Sequence, residues 1–533
     1  MGSLPNSRGV VSGGVLRKTL LLGLTFALGM AFLVFVGWQV AAFLEHLGER
    51  PIRIVTGFEG SPATKVTKVS DTHWLIGLED PDRKRPHFFL FRVEGAAGRT
   101  MTFEIPNATN MWRTLNPVYS YASSLDDLAT FSSVPVTSVN RHFAPNSSEL
   151  PDTSGQGWQF IEDAQWRSVP ASKWQLLREG KWGSLINNGP QPLNKSFQFS
   201  QKLDQDAYVC MRYPYTPGYN QRYLDSLTNH PAVQVITVGT SKEGRPLEVV
   251  KISEGGEAEE KLKPCVLIYA REKADEQDSS WGAQGAIKYL ISDAFKASEL
   301  RRQFTFLVIP LLDPDGAAMG VHEHITYSFL TSGFEASSET PESTAYAAFF
   351  KNWMDKGNLL QLVLNLHNLE SNEGPHLQFI VVEPVKQRRE YSLMFYDRFL
   401  QPLTKAEGFS ARRKDVRIAS ARLGIWLSNS FGPLHALVDI NAQEPHRHLT
   451  IADLHQIGQL LVLASARFLS SQEAGPFMAS VDAIRHDRAA RWQKYGSGLQ
   501  GRSALEAERE CNWRAASEPD AAKWEALRAR SQR

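Results

Sequence analysis

Cysteine is nearly absent. Three in 533 residues, Cys210, Cys265 and Cys511, are too few and too scattered for a disulfide framework. Cys265 falls inside an apolar stretch of strand length, where it reads as a small buried hydrophobe. A surplus of charge is missing too. Fifty-eight Lys and Arg against 57 Asp and Glu leave a formal net charge of +1, and without a basic domain or stripe nothing supports a nucleic-acid partner. The chain is otherwise a globular mixture, 42% hydrophobic and 22% charged. One long uncharged run breaks it: residues 19–44, TLLLGLTFALGMAFLVFVGWQVAAFL, exceed the roughly 20 apolar residues that a helix needs to cross a bilayer. Arg8, Arg17 and Lys18 precede this run and Glu45 and Glu49 follow it. The positive-inside rule then leaves residues 1–18 as a cytoplasmic tail, makes 19–44 a transmembrane anchor, and puts the body on the extracytoplasmic side of a single-pass protein. No clean A-x-A site follows and the run is long for a signal peptide, which favours an anchor over a cleaved leader.

At this length two folded domains plus extras are expected. Residues 50–215 carry β-branched or alternating stretches, THWLIGLE, HFFLFRVE and TMTFEIP, separated by Pro, Asp and Gly. That is the pattern of an antiparallel β-sandwich. Trp158, Trp166, Trp174 and Trp182 recur every eight residues, a spacing that suits one aromatic per strand of a meander, with a carbohydrate or peptide platform as the alternative. Residues 134–155, rich in Ser and Pro, read as a loop. YPYTPGYNQRYLDSL, at 213–227, turns from extended chain into a helical pattern and marks a junction.

Residues 216–470 alternate strands (AVQVITVGTS, GRPLEVVKIS, PCVLIYA, FTFLVIPLL, LLQLVLNLH, PLHALVDIN) with helical segments, as an α/β layer structure with a sheet buried on both faces requires. The last helix pattern, TIADLHQIGQLLVLASARFL, opens on Thr450 and Asp453, which suit an N-cap. Residues 471–533, rich in Ala, Arg and Glu, read as a charged helical or disordered tail.

Ionisable residues collect after three of the apolar strands: Lys273, Asp275, Glu276 and Asp278 after the first, His367 and Glu370 after the second, Asp439 and Asn441 after the third. The carboxyl edge of an open α/β sheet is where ligands bind, and carboxylates converging with a histidine are what a hydrolytic zinc site needs. Polar residues also end most strands, so a purely structural role stays open. His322-Glu323-His324 and His446-Arg447-His448 are H-x-H pairs able to hold a metal from extended chain, or ordinary loop histidines. Asp313-Pro314-Asp315-Gly316 reads as a tight turn. Asn107, Asn146 and Asn194 begin sequons, glycosylation candidates if the chain is secreted by a eukaryote.

In its order of pieces the chain resembles the zinc metallocarboxypeptidases, within them the cytosolic carboxypeptidase branch, whose peptidase domain follows a β-sandwich. FEGSPATKVTKVSDTHWLIGL, FFLFRVEGAAGRTMTFEI, YPYTPGYNQRYLDSL, VGTSKEGRPLEVVKIS, ARxxxxExxSSW, DPDG and LNLH carry the resemblance over roughly residues 53–469. It implies a three-layer α/β/α domain with a mixed sheet, zinc if the protein is active and no metal otherwise, and peptide or protein C-termini as partners.

Carried over residue by residue, Glu276 and His367 match two zinc ligands, and Lys273 stands where the family has its first histidine. Asp439 most nearly aligns with the general-base glutamate, with Glu444 as the fallback. The oxyanion arginine falls at about Glu323, and FLTSGFEASS at 329–338 lacks the Asn-Arg pair that grips a terminal carboxylate. Two functions are compatible with this: a degenerate member that keeps the cleft as a pseudopeptidase or binding module, or an active carboxypeptidase with a non-standard metal site. In the first, Lys273 pairs with Glu276 near the vacated metal position.

Overall fold

The computed structural model describes residues 50–62, 64–78, 88–106, 115–122, 125, 159–161, 163–168, 195–321, 340–369, 374–381, 386–415, 423–444 and 447–495, together with Met30 and Val36. The chain divides into two compact units, Met1–Arg53 and Ile54–Arg533. Most of 19–44 lies outside the described residues. Among the described residues no helix is long and apolar enough to cross a membrane.

The first part of the second unit is β structure in two five-stranded sheets. One has the order β1 (Arg53–Val55), β4 (Leu90–Glu94), β10 (Ala207–Cys210), β6 (Val118–Ser120), β7 (Gln159–Phe160); the other β2 (Thr64–Lys68), β3 (His73–Leu78), β5 (Arg99–Ile105), β9 (Lys195–Leu203), β8 (Asp163–Ser168). Phe89, Phe91, Phe103 and Phe199 are buried and interlock, Phe89 on Phe199 at 5.7 Å and Phe91 on Phe103 at 5.1 Å. The alternation read from the sequence supplies these inward rings. One pairing differs from a purely antiparallel sandwich. β3 runs parallel to β5, because the chain passes through β4 in the other sheet between them. Trp166 lies in β8, while Trp158, Trp174, Trp182, the sequons and residues 134–155 lie outside the described residues.

Two residues of this module bond to the next. Asn116 N donates to Gln443 Oε1 at 3.0 Å, and Gln443 Nε2 donates back to Asn116 O at 3.0 Å. Buried Arg212 pairs with buried Asp278 and donates to Leu369 O at 2.8 Å.

From Pro217 onward a mixed eight-stranded sheet has the order β11 (Val233–Thr240), β12 (Pro246–Ile252), β14 (Thr305–Ile309), β13 (Cys265–Ala270), β15 (Leu362–Asn368), β18 (Leu434–Ile440), β16 (Leu377–Val381), β17 (Ala411–Asp415). β13, β14, β15 and β18 run parallel at its centre. Every residue of β13 and β14 is buried, as a sheet covered on both faces demands. Helix α1 (Pro217–Leu227) starts on the Thr216 cap.

Over one sheet face lie α2 (Gln277–Leu290) and, later in the chain, a 19-residue helix capped by Thr450 and Asp453. Over the other, α3 (Pro341–Asp355) and α4 (Leu423–Phe431) supply Tyr346, Phe350, Met354, Leu423, Leu427 and Phe431 to a core with Cys265, Leu267, Leu307 and Val363. Each such Leu, Val, Phe or Met side chain contributes about 1.5–3 kcal/mol on burial.

The capped helix is α5 (Ile451–Leu469). It meets α2 backbone to backbone, since a Cβ at Gly458 would collide with Gly282 O and one at Gly285 with the backbone of His455. The final described helix, α6 (Gly475–Tyr495), docks through Arg488, 2.8 Å from Asp355 and over the Phe431 ring, and through Lys351 over Trp492. The part of the tail beyond 495 lies outside the described residues. Asp313 caps a short helix, Pro314–Met319, by accepting from Gly316 N at 2.8 Å, so the expected tight turn is the first turn of a helix.

Candidate functional site

Parallel strands deliver their carboxyl ends to one edge, and the site lies there. β13 ends in a turn whose first residue, Arg271, has φ 64°, the one non-glycine with positive φ among the described residues. The strain of that conformation, on the order of 1 kcal/mol, is held by a fully buried guanidinium. Arg271 Nε donates to Ala274 O at 2.6 Å, and its NH1 donates to Tyr215 O at 3.0 Å and Gln277 Oε1 at 3.1 Å. Burial lowers the Arg271 group to about 10, while Asp275, Asp313 and Glu276 oppose the drop. The turn closes at Glu276, which caps α2.

Glu276 meets β15 there. Its Oε2 lies 2.6 Å from His367 Nδ1, and its Oε1 lies 3.4 Å from Lys273 Nζ. His367 is buried, whereas the Lys273 side chain is 26% exposed, so the ammonium sits at the mouth. On the other side of the imidazole, Glu272 Oε2 is 3.6 Å from His367 Nε2. Glu272 is wholly buried and accepts from Asn365 Nδ2 at 2.7 Å and from Leu423 N at 2.9 Å.

Strand register extends the site sideways. His367 pairs with Asp439 across β15 and β18, Asp439 with Gln378 across β18 and β16, and Gln378 with Arg412 across β16 and β17. Register partners share a face, so these four side chains form one row. Gln378 Nε2 donates to Asp439 Oδ2 at 3.2 Å, and Arg412 Nε donates to Gln378 Oε1 at 2.7 Å. Burial pushes the Asp439 carboxyl up to about 6, Glu276 adds to the rise, and His367, Gln378 and Lys273 oppose it.

Four of the five residues carried over from the resemblance, Lys273, Glu276, His367 and Asp439, therefore meet. Glu444 is turned elsewhere: its Oε2 accepts from Arg447 N at 2.9 Å and lies 3.7 Å from His376 Nε2. Asp278 is taken by Arg212, and Asn441 Nδ2 by Gly374 O at 3.0 Å. His322, Glu323, His324, residues 329–338, Glu370 and His446 lie outside the described residues. Arg447 pairs with Asp453, and the His448 ring meets Phe160 edge-on. Glu272, Gln378 and Arg412 were not singled out. Glu272 was legible, as a carboxylate two residues past an apolar strand; the other two needed the register of β16 and β17.

Zinc in a hydrolytic centre takes three protein ligands and an open position. Here Glu276 and His367 hydrogen-bond each other directly, and the side chain beside the same carboxylate is the Lys273 ammonium. Among the described residues no group of three or more His, Cys, Asp or Glu is placed to hold a metal. The residues present do not fit that group.

Residues 221–328 match the zinc carboxypeptidase family. Among curated relatives, cytosolic carboxypeptidase 2 of Danio rerio is 34% identical over 120 residues, 21% of this chain and 17% of that protein. Cytosolic carboxypeptidase 3 of Mus musculus is 25% identical over 277 residues, 49% and 24% of the two chains. The matches thus span less than a quarter of these relatives' own length. Among solved structures, a metallo-carboxypeptidase from Burkholderia cenocepacia superposes with a TM-score of 0.57 at 15% identity, over 78% of this chain and 99% of its own. A putative carboxypeptidase from Burkholderia mallei gives 0.58 at 15% identity, over 80% and 98%. At that identity the likeness is one of fold.

The localisation expected from the sequence is corrected by these findings. A single-pass protein with an extracytoplasmic body is contradicted by relatives named cytosolic carboxypeptidases and by described residues without a helix fit to span a membrane. The match to the zinc carboxypeptidase family is carried by residues 221–328, and the fold around them is like that of the solved metallo-carboxypeptidases.

Proposed function

We propose that the chain is a pseudopeptidase, a family member that binds peptide or protein C-termini in the inherited cleft without hydrolysing them. One observation carries this reading: Glu276 bonds to His367 at 2.6 Å while the Lys273 ammonium lies 3.4 Å from the same carboxylate. An ammonium repels a dication and must shed a tightly held proton before it can ligate. Placed beside Glu276, it supplies in fixed form the positive charge that a metal would bring, and the turn keeps its shape. The binding surface then rests on rigid elements, the ends of β13, β15 and β18, as recognition requires.

A second reading, an active zinc carboxypeptidase with a non-standard centre, draws on Asp439. A carboxyl raised to about 6 is near the range in which a general base works at neutral pH. Metal analysis separates the two. Protein purified without added metal is expected to hold sub-stoichiometric zinc, and Lys273→His to gain it. Near-stoichiometric zinc in the unaltered chain, with release of C-terminal residues from peptides, would overturn the pseudopeptidase reading.

A further inference from the structure

We infer that two copies of this chain pair through β11, edge to edge and antiparallel, so that the eight-stranded sheet continues across a two-fold axis.

Among the described residues the three large sheets offer six edge strands, β1, β7, β2, β8, β11 and β17. An edge presents a row of unpaired backbone N–H and C=O groups, and shortness, charge or proline guards it against pairing with another chain. Five of the six are guarded. β1 and β7 have three and two residues. β2 reads TKVTK, β8 DAQWRS and β17 ARRKD, each with two or more charges.

The sixth, β11, reads VQVITVGT, eight residues without a charge or a proline. None of them is buried, and among the described residues no strand pairs with its outer side. Gln234, Thr237 and Thr240 are exposed, while Val233, Val235, Ile236 and Val238 are half-buried. Such a β-branched run favours pairing.

The register with β12 shifts between Thr237 and Gly239, which leaves residues 233–237 as the regular stretch. Five residues per copy bury less than the roughly 1,000 Å² that a specific interface needs. The neighbouring helix supplies more. Ala345, Phe349 and Trp353 recur at four-residue intervals on α3 and form one stripe, half-buried against the core. The stripe begins over β11, since a Cβ at Gly239 would stand 2.7 Å from Ala345 Cβ.

Antiparallel pairing of identical strands sets the two-fold axis perpendicular to the sheet. Both copies of α3 then lie on the same face, and their stripes approach each other. An unrelated strand added at this edge would leave Phe349 and Trp353 open, whereas a second copy covers both features about one axis, as an isologous contact does. The far edge, β17, carries Arg412, Arg413 and Lys414, so association stops at two copies and does not run on into a filament. β11 lies four strands from β15, and the cleft of each copy stays open.

The test is sedimentation of the full chain across a micromolar concentration series, with backbone amide exchange read by mass spectrometry at both ends of the series. The double variant Gln234→Lys, Thr237→Lys gives β11 the charges that the other edges carry, at two exposed positions, and thermal melting first confirms its fold. Phe349→Gln trims the stripe. Thr67→Lys, an exposed position on the lysine-bearing β2, is the control for added charge.

The unaltered chain is expected to sediment at twice its own mass at the upper end and to dissociate on dilution, with slower exchange at residues 233–237 in the dimer. The double variant should weaken association by on the order of 100-fold, Phe349→Gln by about 10-fold, and Thr67→Lys not at all. A monomer throughout the series overturns the inference. So does a dimer that the two lysines leave undiminished, or one whose amides at 233–237 exchange at the same rate at both ends of the series.

Discussion

Gln378 Nε2 reaches Asp439 Oδ2 at 3.2 Å, so the Asp439 carboxylate is held by an amide from a neighbouring strand. The hydrogen bond favours the charged form, but burial and Glu276 outweigh it.

A pH dependence follows. With the Asp439 carboxyl raised from 3.8 to about 6, the folded chain keeps a proton that the unfolded chain has released between those values. Stability therefore falls as pH climbs from about 4 to about 6, by on the order of 3 kcal/mol. Asp439→Asn, which keeps an acceptor for Gln378, is expected to flatten that part of the profile and to gain roughly 1–3 kcal/mol at pH 7. Urea melts across pH 4–7 measure it; an unchanged slope in the variant rules Asp439 out as the source.

Lys273→Met removes the cation beside Glu276 and leaves a buried carboxylate with weaker compensation. A loss of about 1–3 kcal/mol is expected, reduced toward the lower end because the lysine is part-exposed. Glu276→Gln in the same background should restore much of it, and a double-mutant cycle by chemical denaturation reads the coupling. Zero coupling would show that the 3.4 Å pair contributes nothing.

Gly458→Ala sets a methyl group against Gly282 O and Ala286 N where α5 crosses α2. Such overpacking costs about 1–3 kcal/mol or more, because a backbone cannot yield as a side chain does. Gly475→Ala, with nothing within 4 Å of the added Cβ, should be neutral or slightly stabilising. Equal melting temperatures for the two variants contradict the close crossing.

Thr450→Ala deletes the cap of α5, where Thr450 Oγ1 accepts from Asp453 N at 3.2 Å and Asp453 Oδ2 accepts from Thr450 N at 2.8 Å. A loss of about 1 kcal/mol is expected, read by thermal melting, with Thr450→Ser close to the unaltered chain.

That cap was legible because capping is local: Thr450 and Asp453 are three residues apart, and the chemistry needs nothing else. The same holds for β13, β15 and β18, apolar runs that end in ionisable groups. What the sequence did not reveal depends on lateral pairing. GPHLQFIVVE is as apolar as its neighbours, yet nothing local says that it lies beside β18, or that Gln378 faces Asp439 and not the opposite surface, since one residue of slip reverses the face. β17, with ARRKD, has the composition of an exposed loop and is a strand because β16 offers it an edge. The parallel pairing of β3 and β5 was hidden for the same reason.

The reciprocal amide pair between Asn116 and Gln443 has a mechanical consequence. Gln443 stands four residues beyond Asp439, so the segment just ahead of β6 in the β-sandwich grips the chain that follows the strand carrying the carboxylate. A displacement of β6 is delivered along a few residues of chain to the floor of the cleft. The sandwich is thus a mount for the site, and mutations that loosen its distant phenylalanine core should register as altered ligand affinity before they register as unfolding.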